Sequence, residues 1–397
     1  MPSSKSFLSQ AIMLLFVTMF LSSCKEETGV TPELEIPAVY DSTGYSASVT
    51  AESSVRTQLA TLTSAMQVGR NMDSTVTESR LLGLWNGTTL RSVTASGFTS
   101  VVENSIRELA ASSGKAARLP WENAPASGST GGVIPTSNAP NFKTGYLYDE
   151  NVLEHEQIVE KGLFFGAMYQ HALSVMAATT LTKSSIDRLI EIFGAKPGFR
   201  SNEKNSDPQR DRFSAVYAAR RSDTTNANSL YSSIRRNLIT ARAAIEAGRT
   251  TERDQALADF RLNWEKVIAA TVINYCHTTL STLNSGNRTD SAITIAMHAY
   301  GECVGFTYGL RAISEGNKRI TNAQCDEILS LLRAPYNSTS TAYQLLSATP
   351  TTAQLYRLDG RNDPNLGVIE RLQEIYGFTN SEIESFRRNW VADQNRR

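Results

Sequence analysis

The chain has 397 residues, and its 39 lysines and arginines equal its 39 aspartates and glutamates, so its formal net charge is zero. Hydrophobic residues make up 41% of the chain and charged residues 20%, which is ordinary globular composition. This composition excludes a disordered chain, a collagen-like fibre and a generic basic nucleic-acid-binding protein. Nucleic acid is therefore not an expected partner.

Residues 1–23 predict a lipoprotein signal peptide. Lys5 gives a positive N-terminal region, and residues 11–21 form an apolar run that is too short for a comfortable membrane span. The run ends in Leu-Ser-Ser-Cys, which resembles the bacterial lipobox, in which cleavage occurs just before an acylated cysteine. We therefore expect lipidation at Cys24, with acyl chains such as palmitate anchoring the protein stably to a membrane.

Three charged residues directly after the cysteine bear on location. Lys25, Glu26 and Glu27 resemble the surface-export signal of some outer-membrane lipoproteins. They favour a protein displayed on the cell surface from the bacterial outer membrane, with the periplasmic face of that membrane as the alternative.

The rest of the chain predicts an all-α protein. Residues 24–45 contain scattered Pro, Ser, Thr and Gly and predict a flexible tether. Residues 46–397 repeatedly show helical periodicity and no long alternation of strand type, so we expect a multi-helix bundle in a single large domain, with two bundle-like lobes as the alternative. The predicted helices cover residues 55–66, 98–109, 151–181, 186–193, 230–245, 251–283, 290–314, 321–332, 366–376 and 381–390.

A long loop interrupts this pattern at residues 112–148, which are rich in Gly, Ser, Pro and Asn. So long a loop inside a compact domain is usually functional or disordered. Its aromatic residues are Trp121, Phe142, Tyr146 and Tyr148. If these rings are exposed, they anchor a partner protein or a glycan; alternatively, they fold back over the core.

Two glycine stripes predict close helix packing. Gly301 and Gly305 share one face of the 290–314 helix, and Gly162 and Gly166 share one face of the 151–181 helix. Because glycine costs a helix about 1 kcal/mol relative to alanine, such stripes suggest that another element approaches the backbone closely.

The same two faces carry the candidate metal ligands. His298 and Glu302 lie one turn apart on the first stripe, and His155 lies on the second. If the stripes face each other, these three side chains meet, and imidazole plus carboxylate suits zinc or iron. The architectural interpretation is that His298 and Glu302 form a buried pair that braces the interface, with His155 unrelated.

The remaining chemistry is sparse. Cys276, Cys303 and Cys325 allow at most one disulfide, or they are three buried thiols, and the absence of a CxxC pair excludes a zinc-ribbon site. No GxSxG, HExxH, P-loop or dinucleotide motif is present, so no catalytic residue is predicted.

Three segments resemble a known family. They read QIVEKGLFFGA from Gln157, EKVIAA from Glu265 with Tyr275 after it, and AMHAYGE from Ala296, followed by Gly305, Phe306 and Tyr308. In this order they resemble an uncharacterised bacterial lipoprotein family catalogued as domain of unknown function 4856, and they span most of residues 140–315. This family resembles, more distantly, the imelysin-like helical proteins of iron acquisition.

The resemblance implies a helical envelope lipoprotein with a binding or uptake role, with iron or another metal as its cargo. The alternative is a surface accessory protein that binds an envelope protein or a glycan. The family also tends to carry a histidine in the acidic, aromatic segment after its first long helix. Here that segment, residues 186–194, has no histidine.

Overall fold

The computed structural model describes residues 32–118, 129–286, 289–346 and 367–397. The compact unit runs from Ile36 to Arg397, and residues 32–35 belong to a separate unit. Cys24, the charged residues 25–27 and Trp121 lie outside the described residues. Within the described ranges, no helix is both long enough and apolar enough to cross a membrane.

The compact unit is predominantly helical, which confirms the predicted all-α class. Its first helices are α1 (Tyr45–Ser48), α2 (Thr50–Gln67), α3 (Glu78–Trp85), α4 (Thr89–Val93) and α5 (Ser96–Ser112). The central ones are α6 (His155–Leu163), α7 (Gln170–Met176), α8 (Lys183–Phe193), α9 (Phe213–Arg220), α10 (Leu230–Glu246), α11 (Thr250–Asn284) and α12 (Asp290–Ala312). The last are α13 (Asn322–Leu331), α14 (Val368–Tyr376), α15 (Asn380–Ser385) and α16 (Trp390–Asp393). Short 3-10 turns follow α2 (Val68–Arg70) and α13 (Ala342–Leu346).

The predicted 151–181 helix is shorter and is divided in the structure. A π-helical segment, Phe164–Tyr169, joins α6 to α7. This segment is wholly buried, and the ring of Phe165 stacks on Tyr169 with centroids 3.9 Å apart. Trp264 of α11 meets the Tyr169 ring edge-on at 5.3 Å, so the π segment lies in the aromatic core between these helices.

Part of the predicted 112–148 loop is a small sheet. Strands β1 (Gly132–Pro135) and β2 (Gly145–Tyr148) pair antiparallel. A side chain on Gly145 would come within 1.8 Å of a β1 carbonyl oxygen, so glycine permits the close pairing. The strands have four residues each, and an alternation this short was not recognisable in the sequence.

The compact unit also begins earlier than the predicted boundary at residue 46. Tyr40 is buried and donates a hydrogen bond to Asp187 of α8 at 2.5 Å. Tyr45 donates to Glu191 of the same helix at 2.8 Å. These two hydrogen bonds attach residues 40–45 to α8, although the composition of this segment predicts a flexible tether. Any tether therefore ends before residue 40.

Candidate functional site

Helices α6 and α12 approach each other closely at the glycines of α12. A side chain on Gly305 would lie 2.2 Å from the carbonyl oxygen of Gln157, and one on Gly309 would lie 2.6 Å from that of Gly162. A side chain on Gly301 would meet the Cβ of Glu154 at 3.2 Å. The stripe therefore has a third member, Gly309, which follows Gly305 with the same four-residue spacing, so that it extends over about two turns.

Gly162 of α6 and Gly166 of the π segment pack against a different neighbour from the one expected. Side chains on Gly162 and Gly166 would meet the Phe98 ring of α5 at 2.3 and 2.7 Å. The second stripe therefore does not face the first. Its glycines make room for a fully buried phenylalanine, and only the backbone of Gly162 touches α12.

His298 pairs with a carboxylate that lies just before α6. Its Nδ1 atom is 2.7 Å from an oxygen of Glu154, and Tyr146 stacks on the imidazole with ring centroids 3.8 Å apart. Arg70 lies 4.9 Å from the centre of the Tyr146 ring and forms a two-point ion pair with Glu156, at 2.6 and 2.8 Å. It also reaches Glu154 at 3.5 Å. His298, Glu154, Arg70 and Glu156 therefore form a largely buried row in which basic and acidic side chains alternate.

Glu302 has its own partners, although it lies one turn from His298. Its carboxylate is 3.2 Å from Nζ of Lys161, which also bonds to Glu160 at 2.7 Å. Tyr217 donates to Glu302 at 3.5 Å, and Tyr275 also bonds to it. Lys161 and Glu302 are both buried, so each offsets the cost of burying the other's charge.

The pKa values follow from this pairing. Burial alone would lower the pKa of His298, but Glu154 and then Glu302 raise it above its ordinary value. Burial would raise the pKa of Glu302, but Lys161 and then His298 lower it. Burial raises the pKa of Glu156 to about 7. At neutral pH, His298 and Glu302 are thus stabilised in their charged forms.

His155 is the first residue of α6 and bonds to Asp149, which lies in the turn before the helix. Its Nε2 atom is 3.1 Å from one oxygen of Asp149, whose other oxygen accepts the backbone N–H groups of Asn151 and Leu153 at 2.9 and 2.8 Å. Between them, Val152 has φ 66°, a conformation that is strained for a β-branched residue. The carboxylate of Asp149 therefore holds this turn in a conformation that the chain alone does not favour.

The three predicted metal ligands thus have three different partners. His155 pairs with Asp149, His298 with Glu154, and Glu302 with Lys161. In the part of the chain that the structure describes, no group of three His, Cys, Asp or Glu side chains is placed to hold a metal ion. Metal binding by these residues stays a prediction.

A polar cavity of about 690 Å³ opens beside the Asp149 turn. Its lining comes from α5, from residues 149–158 and from residues 337–340, with Tyr308 of α12. The titratable side chains with an acidic or imidazole group in the lining are those of Glu108, Asp149, Glu150 and His155, and no described lysine or arginine lines it. The Nδ1 atom of His155 is buried and makes no hydrogen bond to a described residue. Sequence reasoning missed this cavity, because its three walls come from distant segments.

The described aromatic residues of the predicted 112–148 loop lie in different environments. Tyr148 is fully buried and donates a hydrogen bond to the Thr294 carbonyl oxygen at 2.7 Å, so it belongs to the core rather than to an exposed anchor. Tyr146 packs on His298, and Phe142 remains 39% exposed.

Comparison with known protein families, with curated proteins and with solved structures found no match to this chain. The resemblance to the bacterial lipoprotein family therefore stays a prediction.

Proposed function

We propose that this protein is a lipid-anchored, non-enzymatic binding protein of the bacterial outer membrane, displayed at the cell surface. Its ligand occupies the polar cavity beside Asp149 and is a neutral or positively charged, hydroxyl-rich molecule such as a glycan. The lipobox at Cys24 supports the location. The observation that carries the binding role is the polar cavity next to the strained Val152 turn.

The lining decides the ligand class. Serine, threonine and asparagine side chains suit hydroxyl groups, and Tyr308 adds an aromatic side chain. The described lining has three carboxylates and no lysine or arginine, which disfavours an anionic ligand because an anion would meet like charge. Strained backbone persists where the surroundings hold it in place and is frequent at binding sites, which agrees with Val152.

A cavity-filling substitution tests the site. Ser338 is exposed and lines the cavity, so Ser338→Trp should block the ligand without disturbing the core. The matched control is Ser92→Trp, an exposed serine of α4 outside the lining. Both variants and the native protein are measured on a panel of neutral oligosaccharides and amino-sugar oligosaccharides. We expect binding that Ser338→Trp abolishes and Ser92→Trp retains. Equal binding by all three proteins, or none by any of them, would reject the glycan site.

Metal acquisition is the second candidate function. One specific feature favours it, namely the buried Nδ1 of His155 beside carboxylates of the same cavity. Elemental analysis of protein purified without chelator should then show iron or zinc, and a chelator should lower its melting temperature. His155→Ala should abolish both effects. Native protein that is metal-free and shows no thermal shift with added iron or zinc would remove this candidate.

A further inference from the structure

Two neighbouring cavities of about 490 and 630 Å³ share Lys196 and Pro208 and form one surface that we call the basic face. The cations that line it are Arg56, Lys196, Arg200, Arg210, Arg212 and Arg235. Among the residues that the structure describes, the carboxylates that line it are Glu191 and Asp207. Six cations against two carboxylates leave an excess of four positive charges, in a chain whose net charge is zero.

The two carboxylates do not neutralise the exposed cations. Glu191 is engaged by Arg56 at 2.5 Å and by Lys196 at 2.6 Å. Asp207 accepts hydrogen bonds from the Asn202 side chain and the Gln209 backbone. Glu191 is therefore already paired, and Asp207, which also interacts with Arg200, is one carboxylate among several cations.

Arg212 is one example of this excess positive charge. Its guanidinium is exposed and forms no ion pair with a described residue. Its pKa is lowered by burial of part of the side chain and by the like charges of Arg210 and Arg56. Like charges are held together here by the fold, and an added anion would relieve their repulsion.

The basic face lies where the chain enters the compact unit. Val39, Tyr40 and Tyr45 line the second cavity, and Arg235 donates a hydrogen bond to the carbonyl oxygen of Ala38. Val39 is 71% exposed, and Ile36 just before it is 48% exposed. Exposed apolar side chains next to a cluster of cations are typical of surfaces that rest on anionic membranes.

We propose that the basic face binds the phosphate headgroups of anionic lipids in the membrane that holds the anchor. The inference rests on the proposed lipid anchoring, because Cys24 precedes Val39 by only 15 residues. Even fully extended, such a segment spans about 50 Å, so acyl chains on Cys24 would confine Val39 to within about that distance of the lipid surface. Guanidinium groups suit phosphate oxygens, which they contact through paired N–H donors.

The test uses vesicles and a protein without acyl chains. The chain from residue 24 onward, carrying Cys24→Ser, is mixed with vesicles of phosphatidylcholine alone or with phosphatidylglycerol, and bound protein is measured by flotation. We expect binding to the anionic vesicles only, weakened by salt. Arg200→Glu with Arg212→Glu should reduce the partition coefficient by more than about 25-fold, because loss of each arginine alone costs roughly fivefold and each glutamate adds repulsion. The control is Arg80→Glu with Lys115→Glu, which makes the same charge change outside both cavities.

Several outcomes would overturn the proposal. These are equal binding to both kinds of vesicle, equal loss in the control variant, or binding of soluble polyphosphate without binding of vesicles. Circular dichroism confirms that each variant folds, and Arg200→Gln with Arg212→Gln replaces the glutamate pair if that pair does not. Because the assay contains no acyl chain, its failure is separate from a failure of lipidation, which fatty-acid labelling of Cys24 in cells measures independently.

Discussion

The Nδ1 atom of His298 lies 2.7 Å from a carboxylate oxygen of Glu154, a residue 144 positions earlier in the chain. The contact exists because Gly301, one turn further along α12, has no side chain to occupy the space that Glu154 fills. Tyr146 of β2 covers the imidazole. One polar pair thus fastens α12 to the start of α6 and to the small sheet.

This pair should make stability depend on pH. The pKa of His298 is raised in the folded state, so the folded protein holds the proton more tightly than the unfolded chain does. The stabilisation is therefore fully present below the unfolded pKa of about 6.5 and is lost as pH rises through the higher folded pKa. Arg70 opposes the raised pKa but does not reverse it. His298→Gln should therefore lower the free energy of unfolding more in mild acid than in mild base.

His277 provides a control, because its contribution to stability changes with pH in the opposite direction to that of His298. Burial lowers its pKa to about 4, so the folded protein keeps this imidazole neutral while the unfolded chain binds a proton. Its contribution to stability therefore rises with pH between about 4 and 6.5. Urea unfolding of native protein, His298→Gln and His277→Gln from about pH 4 to mildly basic pH covers both slopes, that of His277 below about 6.5 and that of His298 above it. The same pH dependence in the two variants would contradict the assignment.

The close approach of α6 and α12 gives a packing prediction. In Gly305→Ala, the new methyl group would lie 2.2 Å from the carbonyl oxygen of Gln157, which is backbone and cannot rotate away. We expect a loss of about 1–3 kcal/mol in unfolding free energy. Gly83→Ala is the matched control, because Gly83 lies inside α3 with nothing within 4 Å of the new atom. That variant should be neutral or gain up to about 1 kcal/mol. Thermal melts in which the two variants behave alike would reject the packing argument.

The sequence predicted the elements better than their contacts. The glycine spacing in α12 indicated a close neighbour, because glycine destabilises a helix and repeated glycines suggest that another backbone needs the space. The structure places backbone oxygens of α6 against Gly305 and Gly309. Helix α11 was predicted to within a residue at either end, because it has a clear start and a sustained apolar pattern.

Which faces meet depends on information that periodicity does not contain. His298 has Glu302 beside it in the sequence but takes Glu154 as its partner in space. The partner depends on how α12 is rotated about its axis relative to α6. That rotation is set by all the contacts that the two helices make. Tyr40 and Tyr45 were missed for a related reason, since two aromatic anchors scarcely change the composition of a loop-like segment.

The thiols give a further prediction. The Sγ atoms of Cys276 and Cys303 lie 3.8 Å apart between α11 and α12, whereas Cys325 is a buried free thiol of α13. After mild oxidation we expect one disulfide, between Cys276 and Cys303, with Cys325 still reduced. Peptide mapping after alkylation identifies the pair, and Cys325→Ser should leave the result unchanged. A bond that includes Cys325 would show that the helices pack differently.

Lipid anchoring is tested at Cys24. The thiol is the acyl acceptor in the lipobox reaction, and a serine hydroxyl does not replace it, so Cys24→Ser should abolish labelling with radioactive fatty acid and leave the protein soluble or unprocessed.

Replacing Lys25, Glu26 and Glu27 by alanine should preserve labelling, because the acceptor is intact, but reduce surface display. Protease treatment of intact cells measures display. Labelling that persists in Cys24→Ser would refute the lipobox, and unchanged protease access in the alanine variant would remove the export signal.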